Sequence, residues 1–140
     1  MSALPCQVYT TNDNIRFKKE VMIPAHFEFD VVSNNEVALK FSVSGRFFEV
    51  ELTSSQSVIE EEIDGVENSF RSYISLVATR VVLAISNTEI TVGEKGNPGS
   101  QFSFAYPAIS TTGSLTVLLE GDGDATWSFY NNCEVPFVQK

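Results

Sequence analysis

The chain has 140 residues, with 18 Asp and Glu against nine Lys and Arg, so its formal net charge is −9. This length fits one domain, residues 1–140, with its own core. The charge argues against binding to nucleic acid or an anionic membrane surface, because clustered cations hold both. No apolar run reaches the roughly 18 residues that a membrane-spanning helix needs, so membrane insertion is not expected.

The clearest pattern is alternation of apolar and polar residues in the first half of the chain. Residues 7–10 predict a short strand, and residues 15–23 a second one that ends at Pro24, which offers no amide to a sheet. Residues 27–52 predict a meander of three strands, with turns at residues 33–36 and Ser44–Gly45. One face of this meander is apolar and must be covered by a second sheet or a helix.

Residues 54–70 fit either a short helix or two edge strands that face each other across Asp64-Gly65. The Asp-Gly pair favours the strands, because it is a hairpin turn signal. The acidic cluster of residues 60–62 and Asp64 is then a solvated edge that discourages aggregation. A cation site built from the same carboxylates is the alternative.

The second half continues the pattern of short strands and turns. Residues 73–85 predict a strand pair or one long bent strand, interrupted by Arg80, which needs Glu49 or Glu51 as a partner if it is buried. Residues 93–100 predict a glycine-rich loop, and residues 115–119 and 126–130 predict further strands. Turns about every ten residues are typical of an antiparallel β-sandwich, and no long helix is expected.

Several motifs recur in a fixed order along the chain and carry a family resemblance. They comprise Phe29 and Val31; Val37 and Leu39; Phe48, Glu49 and Val50; Ile74 and Ser75; Arg80; Ile90, Val92, Gly93 and Gly96; and Gly121, Gly123 and Trp127. Their order and spacing resemble the domain labelled farnesoic acid O-methyltransferase, found in arthropod and other invertebrate proteins. Members of that family also occur beside modules similar to glycan-binding domains, which implies recognition outside the cell.

The residues give no support to an enzymatic activity. A methyl donor bound in the usual α/β way needs a strand, a glycine-rich turn and a helix, and the chain shows no such unit. His26 is the single histidine, at the start of a strand, and is better explained as structural than as a catalytic base. The 18 acidic residues offer no way to select a pair for glycoside cleavage.

Four residues are candidates for ligand binding, namely Trp127, Asp122, Asp124 and Asn97. An exposed Trp127 could stack on a sugar ring, whereas its alternation with Phe129 favours the core. Asp122 and Asp124 beside two glycines fit half of a calcium loop or an ordinary acidic turn, and Asn97 lies in the glycine-rich loop.

Cys6 precedes the first strand and Cys133 follows the last one. The terminal strands of a sandwich often run side by side, so these cysteines could form a disulfide; two unrelated thiols are the alternative.

We therefore expect an all-β protein, an antiparallel β-sandwich of jelly-roll or galectin-like type. The predicted function is a secreted, non-enzymatic recognition module that binds carbohydrate, with calcium as a candidate cofactor. Its ligand would lie on loops at one end, including residues 93–100 and 121–127. The alternatives are a carrier of an apolar small molecule such as a terpenoid or pigment, and a structural protein that self-assembles into homo-oligomers through edge strands.

Overall fold

The computed structural model describes residues 4–43, 46–63, 66–72, 76–77, 79–105 and 114–140. These residues form strands and no helix. The strands are β1 (Gln7–Thr11), β2 (Phe17–Met22), β3 (Ala25–Ser33), β4 (Val37–Val43), β5 (Arg46–Leu52), β6 (Ser57–Ile63), β7 (Val66–Ser72), β8 (Val81–Ile85), β9 (Glu89–Glu94), β10 (Asn97–Ala105), β11 (Ser114–Gly121), β12 (Ala125–Phe129) and β13 (Val138–Gln139). No described helix is long and apolar enough to cross a membrane.

The described strands form two antiparallel sheets. A six-stranded sheet has the order β1-β12-β3-β8-β9-β10, and a seven-stranded sheet has the order β13-β2-β11-β4-β5-β6-β7. In the seven-stranded sheet, β11 lies between β2 and β4, which are far from it in sequence. The predicted all-β antiparallel sandwich is confirmed.

Alternation along the strands builds the core between the sheets. In β3, Phe27, Phe29 and Val31 are buried while His26 is exposed, so one face of the strand points to the second sheet. Aromatic rings fill the centre, and Phe129 lies 5.4 Å from Phe29 and 5.1 Å from Phe137 between ring centroids. Offset and edge contacts of this kind stabilise a core beyond the area that they bury.

A disulfide joins Cys6 and Cys133, whose Cα atoms lie 6.2 Å apart. The pairing of β1 with β12 brings the two cysteines together, because Cys6 precedes β1 and Cys133 follows β12. The predicted bridge is thus present in the structure. The chain segment after it carries Phe137, whose backbone amide donates a hydrogen bond to the Tyr9 hydroxyl at 3.0 Å.

Residues 57–72 form a hairpin, as the Asp-Gly signal predicts, since Ile63 pairs with Val66. However, β6 is an inner strand between β5 and β7, so of the two predicted edge strands only β7 lies at an edge of the described sheet.

The turn residues 64–65 lie outside the described residues, as do residues 44–45 of the other predicted tight turn and residues 73–75 and 78 of the apolar run. Residues 93–100 are wrongly predicted as a loop, because β9 and β10 turn directly into each other at residues 95–96.

The prediction of a fully solvated acidic edge is wrong for Glu61. Glu61 lies opposite Phe48 in the β5–β6 pairing, which places it on the inner face, where it is 3% exposed. Its carboxylate pairs with the Arg46 guanidinium. A buried carboxylate needs such a partner, so Glu61 is part of the sheet packing and does not solvate its edge.

Arg80 takes a different partner from the predicted ones. Its Nη1 atom lies 2.9 Å from the Glu28 carboxylate, and its guanidinium carbon lies 3.3 Å from the centroid of the Tyr130 ring. Lys95 also reaches Glu28, at 2.8 Å. Glu49 and Glu51 are not partners of Arg80, because they lie on β5 in the seven-stranded sheet. Arg80 directly precedes β8 in the six-stranded sheet.

Candidate ligand-binding groove

The outer face of the seven-stranded sheet carries two rows of polar side chains. In one row, Lys40 of β4 lies opposite Glu49 of β5, which lies opposite Glu60 of β6. In the neighbouring row, Ser42 is followed by Phe47 and Glu62. Directly opposed residues share a face of a sheet, so these side chains point away from the core together.

These rows line a groove of about 580 Å³. Strands β2 and β11 and Lys140, which follows β13, form its other side. The lining side chains on the outer face are Lys18, Lys40, Ser42, Phe47, Glu49, Glu60, Glu62, Thr116, Leu118 and Lys140. The volume lies in the range of small-ligand sites, about 300–1,000 Å³.

Phe47 supplies an aromatic surface in this groove. It is 61% exposed, whereas its neighbour Phe48 is 2% exposed in the core. Because Phe47 points away from the core, its ring contributes no core packing and presents an apolar face to the groove. Sequence reasoning missed Phe47 as a site residue. The signal was present as an aromatic side chain in the outward register of β5, where Glu49 and Glu51 follow.

Carboxylates crowd the β5 side of the groove. Burial raises the pKa of Glu49, and the negative charge of Glu60 adds to the effect, while Lys40 opposes it. Burial and then the charge of Glu49 raise the pKa of Glu51 to about 8. Both shifts reflect negative charges that are close together and only partly solvated.

Lys40 also has a carboxylate partner of its own. Its Nζ atom lies 2.7 Å from Glu120, and Arg16 approaches the same carboxylate at 3.5 Å. The hydrogen bond to Glu120 raises the pKa of Lys40. The ammonium is therefore charged and fixed at the centre of the outer face.

A second hollow of about 330 Å³ continues from the groove and shares Lys40 and Glu49 with it. Asp122 lines this hollow, so it lies within reach of a ligand that extends beyond the main groove. Asp124 does not line either space; its backbone carbonyl accepts a hydrogen bond from Ser33. The two aspartates flank Gly123, whose amide donates to the Asp13 carboxylate at 2.8 Å.

The predicted calcium ligands do not belong to a carboxylate cluster in the described residues. Asp122 and Asp124 are exposed. One described group of three carboxylates, from Glu36, Glu49 and Glu51, has oxygens within 4.8 Å of one another. Calcium binding at Asp122 and Asp124 stays a prediction.

The structure places Trp127 in the core, where it is fully buried. Its indole Nε1 donates a hydrogen bond to Thr11 Oγ1 at 3.0 Å, and its ring lies 5.6 Å from that of Phe29. A ring with no exposed surface cannot stack on a sugar, so the prediction that Trp127 contacts the ligand is wrong. The alternation of Trp127 with Phe129 had already favoured this buried position.

Asn97 lies apart from the aspartates. It is exposed at the start of β10, and its side-chain amide donates to Glu94 at 3.2 Å. Strands β3 and β8 separate β9 from β12, the strand that follows Asp122 and Asp124. The structure therefore does not gather the four predicted ligand-binding residues into one site.

Comparison with known proteins identifies the fold but no family. No protein-family model matches the chain, and no curated protein matches it. Galectin LEC-6 of Caenorhabditis elegans is similar in structure, with a TM-score of 0.55 and 9% identity over 89% of this chain and 96% of that one. The PSpry domain of TRIM65 has a TM-score of 0.51 and 8% identity, over 81% of this chain and 68% of that one.

Sheep galectin-11 matches more loosely, with a TM-score of 0.47 and 10% identity over 100% of both chains. At these identities the similarities concern the fold alone. The chain is thus an antiparallel β-sandwich similar to galectins, as the alternation of its strands predicts.

Proposed function

We propose that this protein is a non-enzymatic carbohydrate-binding module and that its ligand lies in the groove on the outer face of the seven-stranded sheet. The observation that carries the proposal is Phe47, an exposed aromatic side chain in a groove of about 580 Å³ that is otherwise lined largely by polar groups. A sugar ring has one apolar face and several hydroxyls, so it needs both kinds of contact.

The groove can supply these contacts on a rigid surface. Phe47 offers a flat ring, Glu49 and Glu60 offer hydrogen-bond acceptors, and Lys40 is a donor. The groove lies on paired strands, and β4 and β5 pair along their whole described lengths. Groups that are already held in place lose little entropy when a ligand binds.

Asp122 and calcium are a further part of the proposal. Asp122 lines the adjoining hollow, so an extended glycan in the groove would pass near it. A calcium ion at Asp122 and Asp124 would take oxygen ligands from the turn. Comparing glycan binding in calcium with binding in a chelator tests this element separately from the groove.

We further propose that the protein is secreted, as the bridge between Cys6 and Cys133 supports. Disulfides persist in oxidising compartments and are rare in the cytosol. Membership of the farnesoic acid O-methyltransferase domain family, suggested by the order of motifs, belongs to the same proposal. Mass spectrometry of culture medium from the natural source tests secretion directly.

The alternative of a carrier for an apolar molecule needs space between the sheets. The aromatic rings there pack on one another, with Tyr9 5.1 Å from Phe17 and 5.3 Å from Phe137 between centroids. Such contacts favour a filled core over a ligand cavity. An apolar ligand that remains bound in native mass spectrometry would support the carrier.

Self-assembly is a second alternative, and β7 is the feature that favours it. Strand β7 lies at one edge of the seven-stranded sheet. It carries Val66 and Phe70, which are 61% and 47% exposed. An exposed edge can pair with another chain. A solution mass that rises with protein concentration would support assembly through this edge.

The direct experiment is a glycan array probed with the wild type, Phe47→Ala and a matched control, Val32→Ala. Val32 is also exposed, at 58%, but lies on the six-stranded sheet. We expect Phe47→Ala to weaken binding to the recognised glycans at least about tenfold and Val32→Ala to leave it unchanged. Equal binding by all three proteins would contradict the groove as the site.

A further inference from the structure

Charge is distributed unevenly across the groove. Lys18 of β2 and Lys140 beyond β13 lie on one side, and Glu60 and Glu62 of β6 lie on the other. Phe47 stands on the acidic side, because it pairs directly with Glu62. The exposed aromatic ring is thus bordered by carboxylates.

The carboxylates around Phe47 repel one another. Glu49 follows two residues after Phe47 on the same strand face and lies opposite Glu60. Burial and then the charge of Glu60 raise the pKa of Glu49, while Lys40, whose Nζ atom lies 2.7 Å from Glu120, lowers it. A ligand cation placed between Glu49, Glu60 and Glu62 would be attracted by all three carboxylates.

The same position suits a cation for a second reason. The face of an aromatic ring attracts an ammonium group, and this interaction adds to that of neighbouring carboxylates. The protein as a whole carries a net charge of −9, which favours the approach of a cationic ligand and disfavours sulfated or sialylated glycans.

We propose that the groove selects a cationic polysaccharide, an oligomer of glucosamine with free amino groups. This inference rests on the proposed function and names the ligand class of that site. One sugar ring stacks on Phe47, and its ammonium group donates hydrogen bonds to Glu60 and Glu62. Phe47 and the carboxylates together favour a sugar over a lysine-rich peptide, because a glucosamine ring can stack on Phe47 while its ammonium group contacts the carboxylates, whereas a lysine side chain offers the ammonium group without a ring.

Isothermal titration calorimetry with two matched probes tests the selection. The probes are the tetramer of glucosamine and the tetramer of N-acetylglucosamine, in a mildly acidic buffer that keeps the free amines protonated. We expect the glucosamine tetramer to bind about tenfold more tightly, since its ammonium group forms ion pairs with Glu60 and Glu62 that an acetylated amine cannot form, and each pair contributes a few-fold.

Variants separate the charge effect from stacking. Glu60→Gln combined with Glu62→Gln should weaken binding of the glucosamine tetramer more than that of the N-acetylglucosamine tetramer and so remove the preference, and Phe47→Ala should weaken both tetramers. Glu20→Gln is the matched control, because Glu20 is exposed on β2 of the same sheet and does not line the groove. Circular dichroism and thermal unfolding verify that each variant is folded.

The outcomes distinguish the preference for a cationic glycan from carbohydrate binding itself. Equal affinity for the two tetramers would overturn the inference and leave the carbohydrate function intact. A preference that survives Glu60→Gln with Glu62→Gln would overturn the assignment to these carboxylates. Binding of a tetralysine peptide as tightly as the glucosamine tetramer would overturn the choice of a sugar. Failure of every glycan on the array would overturn the proposed function itself.

Discussion

Removal of the disulfide should destabilise the protein by an amount that its loop length sets. Cys6 and Cys133 are separated by 127 residues in sequence. A cross-link over a loop of this length removes conformational entropy from the unfolded chain that is worth about 5 kcal/mol at room temperature. We therefore expect Cys6→Ser combined with Cys133→Ser to lower the free energy of unfolding by about 5 kcal/mol.

The folded state should survive this change. Pairing to β12 holds β1 independently of the bridge, and Phe137 keeps its contacts with Tyr9 and Phe129. The loss should therefore arise mainly in the unfolded state. Without the cross-link the unfolded chain also exposes more surface, so the denaturant slope should increase.

Urea unfolding monitored by tryptophan fluorescence measures both quantities. Trp127 is the single tryptophan and is fully buried, so its emission reports loss of the core. For a slope of about 2 kcal/mol per molar urea, the midpoint should fall by about 2.5 M. Wild type in a reducing agent should match the double variant, and the reducing agent should not affect that variant. A loss below about 1 kcal/mol would refute the loop-entropy reasoning.

Two further predictions concern the pH dependence of stability and a buried hydrogen bond. The pKa of Glu51 rises from 4.5 to about 8 on folding, so its contribution to stability is present at low pH and is lost as pH rises through this range. In urea titrations between about pH 5 and about pH 8, Glu51→Gln should lose less stability than wild type with rising pH; parallel curves would contradict the shift. Thr11→Val should cost about 1–3 kcal/mol, because it leaves the buried indole N–H of Trp127 without an acceptor. Thr11→Ser keeps the hydroxyl and serves as the control, so equal unfolding free energies for these two variants would contradict a role for the bond.

Local alternation predicted much of the fold because short strands bury every second residue. Phe27, Phe29 and Val31 are buried as the pattern requires, and the Asp64-Gly65 signal correctly predicted that β6 and β7 form a hairpin. Alternation with Phe129 also favours the buried position of Trp127, although Trp127 was among the candidates for ligand binding. These features depend on residues close in sequence, which is why the sequence alone carries them.

The groove could not be predicted in the same way, since it depends on pairing between distant strands. Alternation assigns Phe47 to the outward face of β5, but β11 must insert between β2 and β4 before that face becomes one side of a groove. The inward position of Glu61 likewise depends on the β5–β6 register. Sequence reasoning therefore favoured loop residues such as Asn97 and Asp122, whereas the groove lies on the strands.

The most direct test of the groove is an NMR titration of isotope-labelled protein with a glycan recognised on the array. We expect the largest amide shift changes along the outward rows of β4, β5 and β6, centred on Phe47, Glu49 and Glu60. Val32 and the other outward residues of the six-stranded sheet should be unaffected. Shift changes centred on the β9–β10 turn or on that second sheet, with the Phe47 region unperturbed, would contradict the proposed site.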